Sequence, residues 1–111
     1  MTAALLTVAP VHTPVQGHLA LAVHEGERRN GPTLANSTLT CAPGAGGHCR
    51  ELARAGGNIG KIPNRDGICP MLYAPVTVTA SGTWGGHAVS YLRTYGNRCI
   101  ANGAAGGLFH F

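Results

Sequence analysis

Four cysteines, Cys41, Cys49, Cys69 and Cys99, set the strongest constraint on what this 111-residue chain can fold into. None of them forms a Cys-x-x-Cys pair. Tetrahedral zinc motifs usually draw on closely spaced ligand pairs, so a disulfide framework is favoured over a metal site and no metal or cofactor is expected. Disulfides in turn imply oxidising, extracellular surroundings. Three pairings are possible. The most local one joins Cys41 to Cys49 and Cys69 to Cys99 and is preferred, although spacing alone decides none of them. The length holds one compact domain at most, and with 2 Phe, 3 Tyr and 1 Trp its core is modest, so covalent staples matter.

Charged residues make up 11% of the chain, less than half the roughly 25% of an average globular protein. That excludes a charge-rich disordered tail and a highly charged cytosolic protein. The net charge of +4 invites a nucleic-acid reading, which would need basic residues gathered on one face with stacking aromatics. Only Arg28 and Arg29 are adjacent; Arg50, Arg54, Lys61, Arg65, Arg93 and Arg98 are scattered. The excess is therefore read as a solvated basic surface, with no nucleic acid as partner. No stretch approaches the ~20 apolar residues of a transmembrane helix, so no membrane partner is expected either. The apolar run from Ala3 to Ala9 lacks a basic flank, is interrupted by Thr7 and stops at Pro10, so it does not read as a signal peptide. The chain reads as a mature or recombinant form.

Periodicity predicts an α+β fold. Residues 1–16, interrupted by Pro10 and Pro14, read as an N-terminal arm, either an edge strand or a loose segment, ahead of a domain over 17–111. Leu19, Leu21 and Val23 alternate with Ala20, Ala22 and His24, as in a strand with one buried face, and Leu34 to Thr40 reads as a second strand ending at Cys41. A short helix is predicted over Cys49 to Ala55, with Cys49, Leu52 and Ala53 on one face and Gly56-Gly57 as its stop. Asn58 to Ile68 has no clear period and reads as a long exposed loop. Val76, Val78 and Ala80, then Gly85-Gly86, then Val89, Tyr91 and Arg93 form the clearest pattern, a β-hairpin. Asn97 to Gly107 allows short helical turns, and Leu108 to Phe111 reads as a final apolar strand. The sum is a five-stranded antiparallel sheet covered by two short helices.

Catalytic readings find little support. Asp66 is the only aspartate and the glutamates are Glu25, Glu27 and Glu51, too few for an evident carboxylate pair. Ser37, Ser81 and Ser90 are present with six histidines, but no G-x-S-x-G elbow holds any of them. Ala55 to Ile62 resembles a phosphate loop only partly, because Ala55 stands for the first glycine and Ile62 for the Ser or Thr that would meet the metal. His48 beside Cys49 is read as a surface residue, since a disulfide-bonded cysteine offers no thiolate. Asn36-Ser37-Thr38 fits a glycosylation sequon.

The segment Ile68-Cys69-Pro70-Met71-Leu72-Tyr73-Ala74-Pro75 stands out. Met71, Leu72 and Tyr73 would ordinarily be buried. Pro70 fixes its own φ and biases Cys69 toward extended backbone, and Pro75 does the same to Ala74. An extended apolar loop pinned at a cysteine suits a protease cleft, which binds substrates as extended strands. An ordinary loop tucked on the core remains open beside it.

Taken in order, Leu39-Thr40-Cys41-Ala42-Pro43, Cys69-Pro70-Met71-Leu72-Tyr73, Pro75-Val76-Thr77-Val78-Thr79, Gly82-Thr83-Trp84-Gly85-Gly86, Asn97-Arg98-Cys99 and the ending Leu108-Phe109-His110-Phe111 resemble the Streptomyces subtilisin inhibitor family over about residues 17–111. The resemblance implies a secreted serine protease inhibitor, not an enzyme, with a homodimer formed through the sheets and disulfides Cys41–Cys49 and Cys69–Cys99. It implies a reactive bond Met71–Leu72, with Met71 as P1, Leu72 as P1′ and Ile68 as P4. Cys69, Pro70 and Tyr73 would touch the protease beside them, and Asn97 would support the loop. Subtilisin-like enzymes are the first expected target and chymotrypsin-like enzymes the second, because a thioether suits a broad apolar pocket. Ala74 stands where the family usually has Asp, and Leu92 where it usually has Glu. The rival expectation is a secreted, disulfide-stapled module that binds a non-protease partner such as a transglutaminase.

Overall fold

The computed structural model describes residues 15–111. Strands β1 (Gly17–Glu25), β2 (Thr33–Cys41), β3 (Val76–Trp84) and β4 (His87–Tyr95) form one antiparallel sheet in the order β2-β1-β3-β4, joined by helices α1 (His48–Arg54) and α2 (Arg98–Gly103). The registers Val23↔Val78 and Val78↔Arg93 stack side chains of three strands on one face. Leu19, Leu21 and Val23 of β1 and Val76, Val78, Ala80 and Trp84 of β3 are buried there. That face is covered by Leu52 of α1, Ala101 of α2 and the C-terminal Leu108 and Phe109, the last stacked on Tyr91 at 5.9 Å between ring centres. The opposite face is polar or small: His18, Ala20 and Ala22 are aligned with Thr83, Ser81 and Thr79. Gln16, at the end of the region read as an arm, already joins the sheet through Cys41 and Gly85, while residues 1–14 lie outside the described residues.

Among the described residues the sheet has four strands, not five. The expected final strand, Leu108 to Phe111, does not form. Ala105, Gly106 and Gly107 take φ values of 47°, 65° and 86°, which coil the chain and are incompatible with a strand. Leu108 and Phe109 are buried one after the other, as a plug under the sheet. A half-buried strand would have alternated. Two smaller differences have similar causes. The predicted loop from Asn58 begins with a 3₁₀ turn, Ile59–Lys61, because Ile59 and Ile62 are core residues and the Asn58 side chain accepts from the Gly60 N–H at 3.1 Å. Within α1 only Cys49 and Leu52 are buried, and Ala53 faces solvent. The hairpin forms as expected, with Gly85 and Gly86 both at positive φ between β3 and β4.

Trp84 lies between Gly17 and Gly57. A Cβ on Gly17 would run into its ring, and one on Gly57 would come within 2.6 Å of it, with the Gly57 φ of +81° already outside the range other residues favour.

Tyr95 supplies a pH dependence. Burial, then the hydrogen bond with Tyr91 at 3.1 Å and the Tyr91 charge, push its phenol well above the ordinary tyrosine value, against a smaller opposing pull from Arg93. A tyrosine in the unfolded chain ionises near pH ~10, below folded Tyr95, so unfolding releases a proton in that window. Stability should hold below pH ~10 and decline above it. Urea midpoints at successive alkaline pH values should fall less steeply for Tyr95→Phe than for the natural sequence.

Candidate functional site

Between the 3₁₀ turn and β3, residues 63–75 form neither helix nor strand. Ile68 and Met71 are fully exposed, and Pro70, Leu72, Tyr73 and Ala74 are exposed as well. The apolar segment is thus held out to solvent. Its two prolines remove N–H donors and restrict the backbone, which disfavours helix and sheet pairing there.

What keeps such a segment ordered comes from the corner between β4 and α2. The disulfide Cys69–Cys99 ties the loop to the first turn of α2, across a sequence separation of 30 and a Cα–Cα distance of 5.7 Å. Closing a ring of that length stabilises the fold by about 3–4 kcal/mol in the chain-entropy account. The second disulfide, Cys41–Cys49, closes a sequence separation of 8 and joins the end of β2 to α1. This is the local pairing.

Asn97 is the other support. It is 5% exposed and caps α2, its side-chain oxygen accepting from the Ile100 N–H at 2.9 Å. Its amide nitrogen donates to the Pro70 carbonyl at 3.0 Å and to the Leu72 carbonyl at 2.9 Å. Every hydrogen of that amide is therefore engaged on the loop, and its oxygen is engaged on the helix. The two bonded carbonyls flank Met71, whose own backbone groups have no partner among the described residues. Next along the chain, the Ala74 N–H donates to the Gly96 carbonyl at 2.9 Å and the Pro75 carbonyl accepts from the Gly26 N–H at 2.9 Å.

The Met71 carbonyl is thus presented freely between two fixed neighbours. A groove of about 540 Å³ runs alongside, lined by Pro70, Leu72, Asn97 and Cys99 on one side and by Glu25 and Leu34 on the other. The loop itself is uncharged from Gly67 to Pro75. Its one altered titratable group is Tyr73, whose phenol donates to the Glu27 carboxylate; that bond, then desolvation and the Glu27 charge, raise its pKa. No sequence pattern points to Glu27 or Gly96 as loop contacts. Glu27 lies 46 positions from Tyr73, a separation at which no local pattern operates, and Gly96 contributes only its backbone. Among the described residues no group of three or more His, Cys, Asp or Glu side chains could hold a metal ion, and no helix is long and apolar enough to cross a membrane.

Residues 15–97 match the family described as subtilisin inhibitor-like. Subtilisin inhibitor-like protein 2 of Streptomyces rochei is 38% identical over 93% of this chain and 99% of its own length. The trypsin inhibitor STI2 of Streptomyces longisporus is 46% identical over 67% of this chain and 57% of its own length. Among solved structures, a chain of Streptomyces caespitosus sermetstatin in complex with Bacillus licheniformis subtilisin superposes with a TM-score of 0.66 at 28% identity, covering 81% of this chain and 92% of that one.

Proposed function

The chain belongs to the subtilisin inhibitor-like family, and from that membership we propose that it inhibits subtilisin-like serine proteases by offering Met71–Leu72 as a substrate-like reactive bond. The observation that carries this reading is the Asn97 amide, which fixes the carbonyls on both sides of Met71 while leaving the Met71 carbonyl free for attack. Met71 enters the S1 pocket as P1, and burying an exposed thioether side chain there contributes on the order of 1.5–3 kcal/mol. Ile68, Cys69, Pro70, Leu72 and Tyr73 line up along the cleft on either side.

Affinity rises because the loop arrives ordered and loses little freedom on association. Turnover stays low for a related reason. The protease serine adds to the Met71 carbonyl carbon, the Leu72 nitrogen leaves as an amine with the proton, and an acyl-enzyme forms. Cys69–Cys99 and Asn97 keep both new ends close. The amine reattacks at an effective concentration that can reach about 10⁵ M, restoring the peptide bond and returning the serine its proton.

Secretion is supported by the two closed disulfides. A homodimer would use the open face of the sheet, where Leu92 is exposed and aligned with Thr79. The solved complex of a relative with subtilisin, and the naming of another relative for trypsin, support a scaffold whose P1 residue selects the enzyme. The test is a titration of subtilisin with the protein, followed by mass spectrometry of the complex. Stoichiometric loss of activity with a single slow cut after Met71 is expected. Rapid degradation without inhibition would instead favour a binding module with a non-protease partner.

A further inference from the structure

The strand β3 leaves the loop between two neighbours, with Val76 aligned with Glu25 of β1 on one side and Tyr95 of β4 on the other. On the β4 side, Asn97 and Gly96 hold the backbone. On the β1 side the connection to β2 is itself pinned to the base of the loop: the Gly26 N–H donates to the Pro75 carbonyl at 2.9 Å, and the buried Thr77 hydroxyl donates to the Gly26 carbonyl at 2.9 Å. Gly26, at φ +86°, turns the chain there and delivers Glu27 beside the loop. The Glu27 carboxylate accepts from the Tyr73 phenol. Tyr73 is the second residue beyond the Met71–Leu72 bond, and Ala74, which follows it, has no carboxylate of its own to offer.

We propose that Glu27 is a positioning residue of the reactive loop, holding the Leu72–Ala74 segment from the β1 side through Tyr73 while Asn97 and Gly96 hold it from the β4 side. The inference rests on Met71–Leu72 being the reactive bond. After that bond is cut, Leu72 carries the new amine, and religation depends on how narrowly its position is confined. Asn97 holds Leu72 by its carbonyl only. A charge-assisted bond one residue further on removes the remaining swing of the segment, because both partners stand on anchored backbone.

The test compares Glu27→Ala, Glu27→Gln, Tyr73→Phe and the double variant Glu27→Ala with Tyr73→Phe, measuring subtilisin inhibition and the fraction cut at Met71–Leu72 at equilibrium. Glu27→Ala and Tyr73→Phe should each weaken inhibition about tenfold, equivalent to ~1.4 kcal/mol, and raise the cut fraction. The double variant should be no worse than either single one, as for partners in one contact. Glu27→Gln, whose amide oxygen still accepts, should recover most of the loss. The contact itself is read without any protease by the ¹³C resonance of the Tyr73 phenol, which should titrate above the ordinary tyrosine range and return to it in Glu27→Ala.

Unchanged inhibition in Glu27→Ala, additive losses in the double variant, or ordinary titration of Tyr73 would each overturn the proposal. A natural protein that fails to inhibit subtilisin would overturn the reactive-bond reading and the positioning role with it. The Tyr73 titration distinguishes that failure from absence of the contact.

Discussion

Asn97→Asp should turn a slow inhibitor into a faster substrate, with inhibition of subtilisin weakened on the order of tenfold to a hundredfold. Two hydrogen bonds from one buried amide hold the Pro70 and Leu72 carbonyls, and each is worth about 0.5–1.5 kcal/mol net. The carboxylate keeps the oxygen that caps α2 through the Ile100 N–H, but it has no hydrogens to give the loop and faces two carbonyl oxygens that repel it. The substitution therefore separates loop support from helix capping. Asn97→Ala loses both functions and should also lower the urea midpoint, by the ~1 kcal/mol typical of a lost cap. Inhibition constants and the rate of appearance of the chain cut after Met71 check both variants. Undiminished inhibition by Asn97→Asp would show that the disulfide, with the Ala74–Gly96 and Tyr73–Glu27 contacts, orders the loop without Asn97.

Met71→Lys should raise affinity for trypsin by about three orders of magnitude and cut that for subtilisin. A trypsin-type S1 pocket ends in a buried carboxylate, and desolvated charge pairs at interfaces contribute from about 1.5 to 7 kcal/mol, so a gain of ~4 kcal/mol lies within the range. The side chain is fully exposed in the free protein, so stability should stay within about 0.5 kcal/mol of the natural sequence. Parallel titrations of trypsin and subtilisin, with a melting curve as control, decide it. If trypsin inhibition stays weak, Met71 is not the residue that enters the S1 pocket.

The strands with strict alternation were legible because period 2 is a local property. Leu19, Leu21 and Val23, and Val76, Val78 and Ala80, declare a buried face within a few residues of chain. Gly85-Gly86 fixed the hairpin for the same reason. Pro70 and Pro75, which act on their immediate neighbours, made an extended segment legible but not its exposure, which depends on what the rest of the chain leaves uncovered. Leu108 and Phe109 misled, since an apolar run looks the same whether it pairs as a strand or plugs a core, and only the backbone turn through Ala105 to Gly107 separates the two. Ile59 and Ile62 read as loop in the sequence because a single 3₁₀ turn is too short to show a period. Asn97 could be assigned to the loop only through the resemblance, and its second role as the α2 cap appears once the helix start is located. Glu27 had no signal at all; its partner sits on the segment leading into β3, the strand beside β1.

The position of Trp84 gives the protein a built-in reporter. It is the only tryptophan, it stands at the end of β3 opposite the loop, eight positions or ~25 Å of strand away from Val76, and its ring is enclosed by Gly17 and Gly57. Its fluorescence therefore follows the docking of the α1 region onto the sheet and is blind to events at Met71–Leu72. Nicking of the loop and loss of the fold, which any activity assay confuses, become two separate optical and chemical signals in one sample.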